Sequence, residues 1–533
     1  MRVFRRKGQG PHPAPEGPTP FSSPENILRS ASVNGQRRAM LRNVVASYSA
    51  FGVQFLIGIA FTPIILRGLG QRQFGLYTVL FSLAGYAGIL ELGLGTAILR
   101  QIARDATDSN ASLVDVLRTS RFLYAVVSIG AAVIVGVVTL LLPRIVNDPP
   151  PGATLVLLAI GASQILGLLL STYTAVLIGL GRSDAMSYLG LLFTLLTAGL
   201  QITAVLATHS YIWVAGVSIG LMVAHAFLTR AVAKRLVQLP NEEGKVSRPL
   251  ARSLLLSGWR NAAVGIAATL AYGLDVVIVS SALGLAAAAA YGIATRASGS
   301  LLSFTSRASE TLVPTYAHHA ALGERERLQR LYQESVNAAW IFALPLGIFV
   351  IAAAPDLLHF WLGSVPPGTA GVLRVLVITA LVAVPGSNAF KFLSGTNDLS
   401  RVVFISLGTA VVNLGLGLVL VRTVGVTGPA LATLVTSLIY DCVLMPRLVA
   451  RACGIPGTAL LREWTWLVPP SMVATSVAVS TGIWGGNFFV VVGRGLLIGS
   501  GFVAVATVSM GVERRARYGG LLRTRRGPTP VSS

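Results

Sequence analysis

The sequence predicts an all-α polytopic membrane protein with about 14 transmembrane helices. Three observations carry that prediction. The 533 residues are 53% hydrophobic with a mean hydropathy of +0.71. Only 12% are charged, against roughly 25% in soluble domains. Apolar runs of about 20 residues, each able to cross a ~30 Å hydrocarbon core as a helix, recur along nearly the whole chain.

Taken in order, residues 1–42 are rich in Pro, Ser and Arg without an apolar core. They read as a disordered basic tail, not a cleavable signal. Apolar segments follow at 43–66, 74–99, 122–142, 153–179, 185–207, 211–229, 254–282, 285–313, 336–354, 370–393, 402–421, 427–445, 464–484 and 488–509. Residues 511–533 form a second basic tail.

The net charge of +22 is distributed as a membrane protein requires. An even number of spans puts both termini on one side. The odd-numbered connections and their borders then carry few of the 42 Lys and Arg, namely Arg67, Arg72, Arg144, Arg374, Arg422 and Arg494. Basic residues retained on the other face make that face cytoplasmic, so the expected location is the cytoplasmic membrane with both termini inside. Clusters such as Arg514, Arg515 and Arg517 suit anionic headgroups. No nucleic-acid motif or aromatic stacking platform accompanies them, so nucleic acid is not an expected partner. Cys442 and Cys453 form no CxxC pattern, and His318 and His319 have no Cys or acid ligand at metal spacing. No metal or cofactor is expected. A coupling ion, H⁺ or Na⁺, is left open.

The chain also repeats itself. LGQRQFGLY (69–77) and LGLAAAAAY (283–291) share Leu-Gly, six residues and Tyr at an offset of 214 residues. That offset lays spans one and two over seven and eight. GVSIGLMVAHAF (216–227) and GPALATLVTSLI (428–439) hold corresponding places in spans six and twelve. Six spans preserve orientation, so two six-helix bundles would relate by an axis along the membrane normal, with a path between them. The expected organisation is a first lobe at 43–235, a linker at 236–252, a second lobe at 253–450 and an extra helix pair at 451–510.

At this point a family comes into view. LGQRQFGLYTVLFSLAGYAGILELGLGTAILRQIAR (69–104) resembles the opening motif of the Wzx-like polysaccharide biosynthesis and export proteins. These are lipid-linked oligosaccharide flippases of the multidrug/oligosaccharidyl-lipid/polysaccharide superfamily. LDVVIVSSALGLAAAAAYGIATR (274–296), DLLHFWLG (356–363), LSGTNDLSR (393–401) and NLGLGLVLVRTVGVTGPALATLV (413–435) follow in that family's order. The resemblance implies two lobes in a V around a central cavity, alternating access, and a polyprenyl-pyrophosphate glycan or similar saccharide lipid as substrate. The Ala-rich run after Gly284 and the long N-terminal tail depart from its pattern.

Charges inside apolar spans are costly and usually face a cavity or each other. Glu91 is the lone charge between Phe74 and Leu99. With Gly88, Gly93 and Gly95 around it, it reads either as a cap on a loosened backbone or as a gate or coupling group. Asp441 carries the same two readings. Arg307 lies 216 residues beyond Glu91, close to the repeat offset, so the two are expected to pair as a gate. Asp275 and Arg296 stand nine residues before and twelve after Gly284. At ~1.5 Å per residue their depths differ by about 4–5 Å, which an arginine can bridge. Arg296, held by Asp275 and joined by Arg260, is the candidate substrate site, because a guanidinium fork matches pyrophosphate oxygens. A snorkelling or packing arginine is the other reading. Phe360, Trp361, Trp464 and Trp466 read as interface anchors.

Function narrows to transport. A membrane-embedded glycosyltransferase or polymerase needs catalytic carboxylates or a sizeable external domain, and the longest external connection, about 355–371, has Asp356 as its sole acid. An enzyme is therefore not expected. Expected partners are a lipid-linked saccharide, membrane lipids and the polymerase or glycosyltransferases that handle the same glycan. A cation-coupled multidrug antiporter on the same fold remains the alternative.

Overall fold

The computed structural model describes residues 33–91, 93–105, 113–146, 149–237, 245–310, 312–457, 460, 464–480 and 488–509, with some side chains inside these ranges, Arg307 among them, left undescribed. The tail 511–533 lies outside those ranges. All regular elements among the described residues are helical. The helices are α1 (Val33–Gly85), α2 (Leu94–Asp105), α3 (Leu113–Ile145), α4 (Ala153–Gly179), α5 (Ser183–Thr208) and α6 (Tyr211–Val237) in the first half. The second half holds α7 (Arg248–Tyr272), α8 (Asp275–Leu283), α9 (Leu285–Glu310), α10 (Val313–Ala321), α11 (Arg325–Leu362), α12 (Thr369–Val382), α13 (Val384–Gly395), α14 (Ser400–Thr423), α15 (Gly428–Ile439) and α16 (Met445–Cys453). Last come α17 (Val468–Ser480) and α18 (Phe488–Ser509).

Each expected apolar segment falls largely on helix among the described residues. Among the described residues nine helical stretches are long and apolar enough to cross a membrane, or ten with the bent pair α12–α13 counted as one. The expected fourteen spans are therefore not counted out by the described residues, where several of the expected segments are interrupted. Leu140, Leu155, Phe404 and Leu496 leave 81, 70, 73 and 70% of their surface uncovered, which suits lipid and not water.

Two expectations need correction. Helix begins at Val33, within the expected disordered tail, because QRRAML consists of good helix formers that extend the first span. The second span is not one regular helix over 74–99. It leaves α-geometry after Gly85, runs as a 3₁₀ turn over Tyr86–Glu91 and resumes at Leu94. Gly85, Gly88, Gly93 and Gly95 each weaken the helix by about 1 kcal/mol relative to Ala, enough together for tertiary contacts to set the local path.

The repeat is visible in the backbone. Gly70 has φ 73° and ψ 167°, and Gly284, 214 residues later, has φ 87° and ψ 178°. Both lie in a region that essentially only glycine enters. Gly70 thus breaks α1 into two helices as Gly284 separates α8 from α9, and the same break is built twice.

Between the halves, α1 packs against α9 at residues related by that offset. A Cβ on Gly75 would lie 3.2 Å from the amide nitrogen of Ala289, and one on Gly292 would lie 2.7 Å from Thr78 Cγ2. Each of these residues meets its own counterpart in the other repeat, as happens where a two-fold axis pierces an interface. The largest apolar core spans this seam, with Phe74, Leu76, Val79 and Leu80 against Ala288, Tyr291 and Ile293.

The second half is broken at several points. Helix continuity fails between α7 and α8, and the freed Gly273 carbonyl accepts from Ser82 Oγ at 2.9 Å and Tyr86 OH at 3.0 Å. Helices α12 and α13 meet at a 42° bend beside Pro385. Between α15 and α16 the chain forms a π turn over Tyr440–Leu444. Helices α17 and α18 pack on α11 through Ala353, Ala474, Ile498 and Phe502.

Candidate functional site

The 3₁₀ turn carries Glu91 into a cavity of about 640 Å³ inside the first half. Its walls come from α1 (Gln54, Phe61), α4 (Gln164, Ser171), α5 (Phe193, Thr197, Gln201) and α6 (His225, Thr229). Glu91 hydrogen-bonds to Ser171. Among the described lining residues Glu91 is the sole carboxylate, and no Lys or Arg joins it. Next to the lining residue Thr174, Tyr173 is buried against two arginines that do not line the cavity. Arg121 Nη2 donates to its hydroxyl at 2.5 Å, and the guanidinium carbons of Arg121 and Arg230 lie 5.0 and 5.7 Å from its ring centre. Gln201 Nε2 donates to Tyr77 OH and the Val214 carbonyl, both at 3.2 Å, and to Ser218 Oγ. The volume falls in the range of small-molecule sites. Its chemistry is that of neutral donors and acceptors and one acid set in a largely apolar wall, with Phe61, Phe193, Leu168, Leu221 and Met222 among its apolar faces.

A second polar cluster lies in the second half. Asp275 is buried at the start of α8, and its Oδ2 accepts from Tyr291 OH at 2.6 Å and Thr433 Oγ1 at 3.2 Å. Asn413 of α14 is buried beside it. With its amide oriented to satisfy the network, Asn413 Nδ2 donates to the Ala271 carbonyl at 3.1 Å. Its oxygen then accepts from Thr436 Oγ1 at 3.0 Å and Thr433 Oγ1 at 3.1 Å. Further along the same face, Ser437 lies 3.5 Å from Tyr272 OH and hydrogen-bonds to Asp441. Asp441 is buried on the π turn, pressed against Gly386 at the α12–α13 bend, and its Oδ2 has no partner among the described residues.

The expected pair of Asp275 and Arg296 does not form. Asp275 is held by hydroxyls, while the Arg296 guanidinium lies 5.4 Å from the ring centre of Phe74 across the seam. Glu91 turns into the first half, where no second-half residue lines the cavity among those described. The side chain of its expected partner, Arg307, lies outside the described residues. Arg260 sits with its Cζ 5.8 Å from the Trp259 ring centre, and its buried Nε has no partner among the described residues. None of Arg260, Asp275 and Arg296 lines the first-half cavity.

Trp464 is not an interface anchor. It is buried edge-on to Trp340, with ring centres 5.2 Å apart. Trp361 Nε1 donates to the Ile59 carbonyl at 2.6 Å and ties the two halves together. Phe360 stays exposed, as an anchor should, and the Trp466 side chain lies outside the described residues. Sequence reasoning followed charges and so missed the neutral groups that build both clusters. The spacing of Thr433, Thr436, Ser437, Tyr440 and Asp441, one helix face at intervals of three and four, was the available signal.

These features define a polytopic all-α membrane protein with a repeated helical unit and a polar intramembrane cavity. Residues 40–318 match the sequence profile of the polysaccharide biosynthesis protein family, and the chain belongs to that family. A putative O-antigen transporter of Shigella flexneri is 37% identical over 65 residues, 12% of this chain and only 16% of the relative's length. Lipid II flippase MurJ in an inward closed conformation superposes with a TM-score of 0.66 at 11% identity, over 90% of this chain and 99% of that one. An inward-facing multidrug resistance MATE transporter gives a TM-score of 0.54 at 17% identity, over 80% of this chain and 99% of that one. At these identities the two structures establish a shared fold.

Proposed function

We propose that this protein moves a lipid-linked saccharide, a polyprenyl-pyrophosphate oligosaccharide or a related polysaccharide intermediate, across the cytoplasmic membrane by alternating access. It acts as a flippase and makes no bonds. The observation that carries this reading is the first-half cavity: a space of about 640 Å³ within membrane-spanning helices, where amides, hydroxyls, His225 and Glu91 are set among two phenyl rings and aliphatic side chains such as Ile57, Leu168, Leu221 and Met222. Such walls suit the hydroxyls and flat faces of sugars. Membership of the polysaccharide biosynthesis family supports the same substrate class. Fold alone does not choose between saccharide flippase and multidrug antiporter, and the family favours the former.

In this reading residues 43–235 and 253–450 are the two moving lobes and 451–510 an accessory helix pair. Both termini face the cytoplasm. The glycosyltransferases that build the glycan and the polymerase that extends it work on either side of the step. A deletion strain should accumulate polyprenyl-linked saccharide on the cytoplasmic leaflet, with complementation by the intact gene. In proteoliposomes the full-length protein should expose a labelled lipid-linked saccharide to an external glycosidase. Unchanged lipid-linked saccharides in the deletion strain, together with export of cationic dyes, would replace the flippase with the antiporter.

A further inference from the structure

Two contacts join the halves near the face read as external, and each ends on a carbonyl that its own helix leaves free. Pro63 lies inside α1. It has no N–H, so the carbonyl of Ile59, four residues earlier, has no partner within the helix. Trp361 Nε1 of α11 donates to that carbonyl at 2.6 Å. Leu362 is the last residue of α11, where Gly363 turns the chain away with φ 77°. A carbonyl in the last turn also has no donor within its helix. Arg67 of α1 supplies one twice over, from Nε at 3.2 Å and from Nη2 at 3.1 Å. Each half thus offers one freed carbonyl and one donor for the other's.

The surrounding packing fits this exchange. Gly363 leaves the guanidinium room, since a Cβ there would lie 2.9 Å from Arg67 Nη2. Leu358 and Leu362 of α11 share an apolar core with Ile65, Leu66 and Leu69 of α1, which sets the two helices side by side. Arg67 also meets the negative end of the α11 dipole, where a cation is favoured. The seam with α9 uses α1 after the break at Gly70, and these contacts use the segment before it.

A backbone carbonyl out of reach of water is costly to leave unpaired. A gap narrower than one water molecule, roughly 3 Å, would strand both carbonyls and both donors, whereas a wider gap lets water satisfy all of them. Partial opening is therefore the least favourable arrangement. We propose that Arg67 and Trp361 form a reciprocal clasp that holds the external side of the pathway shut and makes its opening an all-or-none step. The proposal rests on the alternating-access part of the flippase reading and adds the contact that sets how often the outer side opens.

The test is a spin–spin distance measurement on the full-length protein in phosphatidylethanolamine–phosphatidylglycerol nanodiscs. Nitroxides are placed at Thr208→Cys in the first half and Ser364→Cys in the second, both exposed positions, with Cys442→Ala and Cys453→Ala removing the two cysteines of the chain. No saccharide is present, so the result stands apart from the outcome of the transport assay. Arg67→Met keeps the aliphatic stem without the donors, and Trp361→Phe keeps a ring without the N–H. Each should raise the population of a second, longer distance, about tenfold for Arg67→Met and about fivefold for Trp361→Phe, without filling the distances between. Arg67→Lys, with the charge and a single donor group, should give a smaller rise and stands in where Arg67→Met does not fold. Pro63→Ala returns an N–H to the Ile59 carbonyl, so Trp361→Phe should lose most of its effect in that background. Distances unchanged in the folded donor variants, a continuous shift in place of a second population, or an equal effect of Trp361→Phe with and without Pro63 would overturn the proposal.

Discussion

Adding one methyl group at the seam tests whether the α1–α9 crossing is a working contact. In Gly75→Ala the new carbon would run into the carbonyl oxygen of Leu285 most closely of all, and would meet its carbonyl carbon at 2.8 Å and the nitrogen of Ala289 at 3.2 Å, all backbone atoms that cannot rotate away. Restoring the 3.4 Å of ordinary contact requires the helices to part by at least ~0.6 Å. Overpacking of this kind costs about 1–3 kcal/mol, which shifts the balance between closed and parted seams roughly 5- to 150-fold. Gly292→Ala is the graded control, because its methyl meets Thr78 Cγ2 at 2.7 Å, a side-chain end that can move. The readout is a disulfide between Thr78→Cys and Gly292→Cys. A Cβ at 292 would lie 3.5 Å from Thr78 Cβ, inside the usual disulfide range of about 3.5–4.5 Å. Oxidation should cross-link this pair readily and arrest transport until a reductant is added, and Gly75→Ala should slow the cross-linking markedly. Equal cross-linking rates with and without Gly75→Ala, in folded protein, would show that the seam does not close through these residues.

Three further outcomes follow from the structure. Phe74→Leu and Arg296→Leu, combined in a double-mutant cycle on thermal unfolding in detergent, should show a coupling of about 0.5–2 kcal/mol; additive effects would remove the cation–π contact. Trp464→Phe should leave the melting temperature unchanged or raise it, since Trp464 Nε1 is buried without a partner among the described residues and losing an orphan donor removes a desolvation cost of about 1–3 kcal/mol; a large destabilisation would point to a hidden acceptor. A cysteine at Ser364 should react with an impermeant thiol reagent from outside the cell and one at Ser247 only after permeabilisation, and external labelling at 247 would invert the topology.

Much of the fold was legible in the sequence because hydropathy and chain length report directly on membrane crossing. The turn at Gly70 and its copy at Gly284 could be read for the same kind of reason, since a glycine with positive φ leaves a mark in sequence wherever it is required. The second span was misjudged because its four glycines permit more than one backbone path, and Ser82 and Tyr86 reach across to Gly273 only once the halves have met. The candidate site was harder still. Counting residues from a turn fixes how deep Asp275 and Arg296 lie but not which way each points, and a helix rotates by about 100° per residue. Glu91 was singled out by its charge, whereas Gln54, Gln164 and Gln201 beside it were silent because a neutral amide scarcely changes hydropathy. Trp464 looked like an anchor because a tryptophan at a span end usually is one, and only its stack with Trp340 shows that helix packing claims it.

The pairing of Gly75 with Ala289 and of Thr78 with Gly292 also bears on how two copies of one helical unit drift apart. At an axis, any residue of an identical duplicate faces itself, so bulk added there would be added twice in the same place. Here each facing pair keeps one glycine, on the first copy at 75 and on the second at 292. Side-chain volume lost on one copy is taken up by the other, and the sum across the seam is what is held. A larger residue at 75 or at 292 therefore calls for room given up by the backbone or side chain facing it on the other copy.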